Sequence, residues 1–339
     1  MFDKITSSKL TLLVLALLAV LPPVFIWTGN AFYVDLATRL VILAIAATSL
    51  NLILGYGGLV SFGHAAYLGI GAYAVGIPVY HETYGAFEIV ASYGGLFHFV
   101  LAVVAAALFA LFTGAICLRT KGVYFIMITM AFAQMLFYLL VSIEEYGADD
   151  GLVIDTRSEL SLINFNDPLQ LYFFCLASLV ITMTLVRMII HSRFGMVLRG
   201  AKGNQERMIS LGYNVYLYRL TAYVISGALC GFAGALLGNF TTFISPEMMA
   251  WSRSGELMFM VILGGAATTL GPLLGSAAFI LIEEILSSFT IYWHLPFGLM
   301  LMAVVLYTKG GFMGMLFSSD KSPKTSQTGN TIVEEGKRN

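Results

Sequence analysis

Few side chains in this chain have the type and spacing to do covalent or acid–base chemistry. Ser61 and His64 lie close together beside a run of glycines, Glu283 and Glu284 are adjacent within an apolar stretch, and Cys117, Cys175 and Cys230 are scattered through others. A serine and a histidine with no third member make no nucleophilic triad, and no Cys, His or carboxylate set has metal-ligand or CxxC spacing. No catalytic residue and no metal site is therefore expected, and the cysteines read as buried free thiols. The spacing does offer backbone chemistry. Gly55, Gly57, Gly58 and Gly63 precede His64, and Gly264, Gly265 and Gly275, with Pro272, interrupt a second apolar stretch. In lipid, an interrupted helix frees N–H and C=O groups that must line a cavity or find partners. Two such interruptions, one in each half of a chain, point to a solute path. The freed groups could pair with a polar cargo without any buried side-chain charge. The candidates for that path are Gly57, Gly58, Ser61, Gly63, His64, Gly264 and Gly265.

Each candidate has a second reading. Glycines also let helices approach closely, and a lone histidine is often a satisfied structural residue. Gly227, Gly231, Gly234 and Gly238 form two GxxxG steps and are expected to pack helices. Thr129, Gln134 and Asn239 either bridge helices or line a path. Glu283 and Glu284 are anomalous, because a carboxylate in lipid costs a few kcal/mol. As neighbours they do not share a helix face, and a structural or interfacial role is expected.

The elements that must position these residues follow from composition. Hydrophobic residues make up 58% of 339, charged residues 11%, and the mean hydropathy is +0.85. Soluble domains are about half apolar and a quarter charged, so a soluble fold is excluded. A net charge of -1 leaves no basic field for nucleic acid. Apolar runs near 10–29, 36–54, 64–80, 96–117, 122–143, 169–190, 217–240, 256–263, 273–289 and 293–308 predict an all-α polytopic membrane protein with about eight to ten transmembrane helices. Those at 256–263 and 273–289 are short enough to be half-helices. Lys4 and Lys9 before Leu10 would suit a signal peptide, but the apolar run passes Pro22 and Pro23 to Trp27 without a small-residue cleavage site. A retained first span is expected. Residues 1–317 read as one transmembrane domain, and 318–339 as a disordered polar tail.

Lys and Arg set the orientation, because basic loops stay cytoplasmic. With the N-terminus inside, only Arg39, Arg157 and Arg253 fall outside, against fifteen basic residues within. Both termini are expected in the cytoplasm. The segment 144–167, with Glu145, Asp149, Asp150, Asp155 and Glu159, then faces outward as a solvated loop or a docking surface.

The longest hydrophilic interruption on the inner side is amphipathic. Val197, Leu198, Ala201, Met208 and Ile209 recur near helical spacing while Arg199, Lys202 and Glu206 collect on another face, which predicts one helix over about 195–212 that stops at Gly212. It is either an interfacial helix among lipid headgroups or a lever that passes motion into the membrane.

Three blocks in order carry a resemblance. They are NLILGYGGLVSFGHAAYLGIGAYAVGI (51–77), FGMVLRGAKGNQERMISLGYNVYLYRLTAYVISGALCGFAGAL (194–236) and ISPEMMAWSRSGELMFMVILGGAATTLGPLLGS (244–276), with YGADDGL (146–152) as an outer-loop element. Over most of residues 40–310 the chain resembles the larger permease type of the branched-chain amino-acid ABC transporters, whose urea and short-amide relatives share these blocks. The resemblance implies a type II ABC importer fold and import by alternating access. It also implies pairing with a second, homologous permease, two ATP-binding subunits inside that hold ATP and magnesium, an extracytoplasmic substrate-binding protein, and a place in the bacterial inner membrane. By the same resemblance 195–212 is the coupling helix, with Arg199, Lys202, Asn204, Glu206, Met208 and Gly212 as its contact residues. Gly203, Met208 and Ile209 depart from the family's charged, alanine-rich stretch, which makes the fit to its ATPase individual. No G-x-x-x-x-G-K-[ST] loop occurs, so the chain has no such site for hydrolysing ATP, and no cofactor of its own is expected. The competing reading, a stand-alone carrier or channel, would need ionisable groups paired along a path.

Overall fold

Leu-, Ala- and Val-rich runs can cross lipid only by satisfying their backbone internally, and here each becomes a helix. The computed structural model describes residues 2–27, 29–85, 94–160, 163–289, 292 and 294–307; the polar tail expected over 318–339 lies outside the described residues. The ten apolar runs correspond to α1 (Phe2–Trp27), α2 (Ala31–Asn51), α3 (His64–Tyr84), α4 (Gly95–Cys117), α5 (Val123–Val141), α6 (Pro168–His191), α9 (Val215–Thr241), α10 (Trp251–Gly264), α11 (Gly271–Phe289) and α12 (His294–Tyr307). Between α6 and α9 lie α7 (Arg193–Gly203) and α8 (Gln205–Ser210). Among the described residues six helices, including a joined Phe32–Tyr56, are long and apolar enough to cross a membrane; α1, α3, α10 and α12 are shorter in their apolar part or less apolar. The chain is a multi-pass, all-α membrane protein.

The centre is α9, which lies against α2, α3 and α4. Its GxxxG glycines face those neighbours. A Cβ on Gly231 would meet the Ala102 carbonyl at 2.9 Å, and one on Gly234 would strike the Leu68 carbonyl and sit 3.1 Å from the Ala72 nitrogen. Close approach of backbones is how helices gain dispersion energy where lipid removes the hydrophobic drive. All three cysteines are buried in this core.

The two ends of the bundle differ. At one end the segment after α5 is fastened from several sides. Strand β1 (Leu152–Val153) pairs antiparallel with β2 (Phe243–Ile244), Ser158 N donates to Asn239 Oδ1 at 2.9 Å, and His98 Nδ1 lies 2.6 Å from Ser158 Oγ. Asn239 thus bridges a helix to this loop. Tyr146 OH lies 3.1 Å from His81 Nε2, and burial, with Glu145 nearby, pushes the phenol above its ordinary pKa and keeps it protonated. Glu145, Asp149, Asp150, Asp155 and Glu159 are all exposed there. The opposite end carries Arg119, Lys121, Arg187, α7 and α8.

Glu283 has a partner. Arg39 Nη2 of α2 reaches its Oε1 at 2.9 Å and its Oε2 at 3.2 Å, which joins α2 to α11 within the bundle. Glu284 points off that face, as consecutive helical positions must.

Candidate functional site

Both glycine-rich stretches do interrupt helices. The first interruption begins where α2 passes into a π-helical turn, Leu52–Tyr56, and leaves residues 57–63 non-helical before α3. A π turn has wider backbone spacing and marks places where a helix is locally strained. Gly57 N donates to Leu52 O at 3.2 Å and Leu59 N to Ile53 O at 2.9 Å, so the ladder widens and then stops. Gly58 takes φ +70, a conformation that costs an L side chain. The second interruption covers 265–270, between α10 and α11, with Gly265 at φ +111 and Ala267 at φ +62. Alanine in the left-handed region costs about 1 kcal/mol, so Ala267 needs outside support.

That support comes from Asn51, at the end of α2 and 1% exposed. Its Oδ1 accepts from Ala267 N at 2.9 Å and its Nδ2 donates to Thr268 O at 2.9 Å. One amide thereby joins the two interruptions. Gly55 makes the approach possible, since a Cβ there would strike the Asn51 carboxamide and lie 2.5 Å from Ala267 N.

Side chains take up the other freed backbone groups. Thr129 Oγ1 accepts from Phe62 N at 3.3 Å, Ser61 Oγ from Gly63 N at 3.2 Å, Ser254 Oγ from Ala65 N at 2.9 Å and Thr268 Oγ1 from Gly271 N at 3.0 Å. His64 is fully buried, with Nε2 2.8 Å from Ser226 Oγ. Ser226 Oγ itself donates to Ser49 O at 2.5 Å, so the histidine supplies the proton of their bond and its Nδ1 is left as an unpartnered acceptor. Tyr67 and Tyr223 meet the ring edge to face, at 5.3 and 6.2 Å between centroids.

These contacts divide the expected path residues. Gly57, Gly58, Gly264 and Gly265 do sit at the interruptions, and Gly264 packs α10 on Gly271 of α11 so closely that a Cβ would overlap its carbonyl. Ser61 and Gly63 lie at the far end of the first interruption and His64 opens α3, all three against α9 or α5. The expectation of freed N–H and C=O groups open to solute is corrected for the groups named, because neighbouring hydroxyls, an amide and an ammonium occupy them.

The segment above the first interruption also differs from its expected form. It is two helices, α7 and α8, instead of one over 195–212. Asn204 breaks it: its φ is -152 and its Oδ1 accepts from Arg207 N at 3.0 Å, capping α8. Asparagine competes for backbone donors and so favours such a start over a helix interior. Gly212 follows α8 at φ +86, the stop expected of it. Val197, Leu198 and Ala201 are buried against the bundle. Met208 packs on Gly200, where its Sδ would lie 2.7 Å from a Cβ, while Glu206 is exposed. Replacing Asn204 with alanine should cost α8 about 1 kcal/mol. Hydrogen exchange of the Arg207 amide should rise accordingly, and unchanged protection would show that the cap is idle.

Arg199 and Lys202 were expected to meet a partner, yet both reach back into this chain. Arg199 Nη2 donates to Ile190 O at 3.1 Å and Nε to Gly195 O at 3.3 Å, satisfying the end of α6. Lys202 Nζ donates to Gly55 O at 2.6 Å, with its stem over Gly58, where a Cβ would lie 2.8 Å from Cγ. Arg219 of α9 holds the segment from the other side through Ala201 O at 3.3 Å and Gln205 Oε1 at 3.0 Å. Sequence reasoning missed Asn51 and Thr268. A single asparagine ending an apolar run was the available signal for the first.

Sequence similarity to known proteins extends over nearly all of this architecture. Two relatives, the high-affinity branched-chain amino acid transport system permease proteins LivM of Salmonella typhimurium and Escherichia coli, are each 26% identical over 333 residues, covering 91% of this chain and 76% of theirs. No solved structure matches. Residues 32–308 match the family described as the branched-chain amino acid transport system permease component. That match spans α2 to the end of α12 and takes in both interruptions and the segment between α6 and α9, so the chain belongs to this permease family.

Proposed function

We propose that this membrane permease subunit imports branched-chain or similar hydrophobic amino acids, driven by two separate ATP-binding subunits that act on α7 and α8. One observation carries the reading: the segment 193–210 is packed on the bundle through Val197, Leu198 and Ala201, and its Lys202 is bonded directly to the interrupted helix. A short element fixed to two helices moves with them, which suits it to pass a soluble motor's stroke inward. Its opposite face keeps Met196, Ile209 and Leu211 exposed, an apolar surface suited to a groove in a motor subunit.

The rest of the assembly follows the same reading. A second, homologous permease forms the pair, an extracytoplasmic binding protein delivers solute to the acidic, ribbon-braced end, and ATP and magnesium reside in the motor subunits. The Lys and Arg distribution supports a bacterial inner-membrane orientation with the α7–α8 end and both termini on the cytoplasmic side. Solute passes beside the joined interruptions, with Gly57, Gly58, Gly264 and Gly265 shaping the route and Ser61, Gly63 and His64 bracing it from behind. The branched-chain amino acid transport of the LivM relatives favours amino acids over urea or short amides.

Proteoliposomes holding both permeases, the motor subunits and the binding protein should accumulate radiolabelled leucine only with ATP. Accumulation with this chain alone would replace the reading by a channel or secondary carrier, and uptake of urea in place of leucine would reassign the cargo.

A further inference from the structure

Lys202, Gly55, Asn51 and the pair Ala267–Thr268 form an unbroken chain of contacts from α7 to the second interruption. Lys202 Nζ holds Gly55 O at 2.6 Å, Gly55 and Asn51 belong to adjoining turns, and the Asn51 amide grips Ala267 N and Thr268 O at 2.9 Å each. These contacts are not interchangeable with packing. Lys202 bonds a carbonyl within the π turn that follows α2, where the helical ladder widens, so the ammonium holds a locally strained turn and not a finished helix. Asn51 both donates and accepts, which fixes the second interruption in distance and in direction. Ala267 at φ +62 stays in its left-handed conformation under that grip.

The geometry points to Lys202 and Asn51 as paired positioning residues: Lys202 passes displacement of α7 to the π turn, and Asn51 makes the second interruption follow the first. This rests on the proposed lever role of α7 and names the route by which the lever is read. Coupling along such a route means that two sites bias one element, and that is what the variants measure. The decisive variants therefore remove single atoms' worth of contact. Lys202→Met keeps the stem over Gly58 and loses the ammonium, Lys202→Arg restores a cation, and Asn51→Leu removes both amide bonds.

The test uses the assembled transporter, with spin labels on Gly203→Cys of α7 and Ala266→Cys of the second interruption, both exposed. Vanadate trapping should shift the distance between labels in the parent protein, Lys202→Met should abolish the shift, and Lys202→Arg should restore it. In the same preparations leucine transported per ATP hydrolysed should fall about tenfold in Lys202→Met, with thermal stability near that of the parent, while Lys121→Met changes neither. The Lys202→Met/Asn51→Leu double variant should lose no more than the worse single variant, since both cut one route. Should Asn51→Leu fail to fold, the Lys202 series decides alone. A parent distance that does not respond to trapping, a shift that survives Lys202→Met, or losses that multiply in the double variant would each overturn the inference. Loss of ATP dependence in the parent, by contrast, would remove the importer reading itself.

Discussion

Gly234→Leu should leave almost no extractable folded protein. A side chain at that position would enter the Leu68 carbonyl and the Ala72 amide of α3, and backbone atoms cannot rotate aside as a flexible side chain can. Overpacking a core costs about 1–3 kcal/mol when side chains can adjust, and more when they cannot. Against the marginal stability of most folds, about 5–15 kcal/mol, such a loss at the central crossing is disabling. Gly203→Ala is the matched control, because nothing lies within 4 Å of its Cβ and its φ is not in the left-handed region. Size-exclusion profiles in detergent should show the monodisperse peak lost for Gly234→Leu and kept for Gly203→Ala. Equal peaks would mean that α3 and α9 do not meet as described.

The second large effect is expected at the Arg39–Glu283 pair. Arg39→Met leaves a carboxylate between α2 and α11 without this partner, and since the pair is only part-buried the loss should fall between the ~1 kcal/mol of a surface pair and the ~3 kcal/mol of a buried one. Glu283→Gln alone strands the cation in the same way. The double variant Arg39→Met/Glu283→Gln should recover most of the loss, since neither charge remains to be desolvated. A double-mutant cycle on thermal unfolding should therefore give a coupling well above the 0.3–0.5 kcal/mol error typical of about independent sites. Additive single losses would show that the two residues do not act as a pair. This pair also answers the question raised by Glu283 in the sequence: the acidic residue is a structural link between helices.

The positions of the helices were legible because periodicity and length are local signals. Each apolar run is one helix, and the glycines at 57–58 and 264–265 mark true interruptions. Contacts across the chain were not legible. The sequence offered Arg199 and Lys202 as a charged face, and a charged face on an amphipathic helix reads as outward. Their inward reach depends on where the carbonyls of Ile190 and Gly55 fall, which no spacing encodes. Asn204 was readable as a helix start from its capping chemistry, and was absorbed into one long helix because the apolar positions on both sides shared a period. Ser61 and His64 allowed two readings, and no spacing shows that both are buried, Ser61 beside Tyr223 and His64 against Ser226. Strands of two residues each, as in β1 and β2, have no period to detect.

The ribbon of β1 and β2 has a mechanical corollary. It closes one mouth of the bundle with paired backbone bonds, with Gly76 seated so tightly beneath that Ile244 and Leu152 would each lie 2.8 Å from a Cβ. At the other mouth the corresponding backbone is held by single side-chain contacts, each cheaper to break than a ladder. Compliance is therefore unevenly distributed, and hydrogen exchange is expected to be faster at the basic end than at the ribbon.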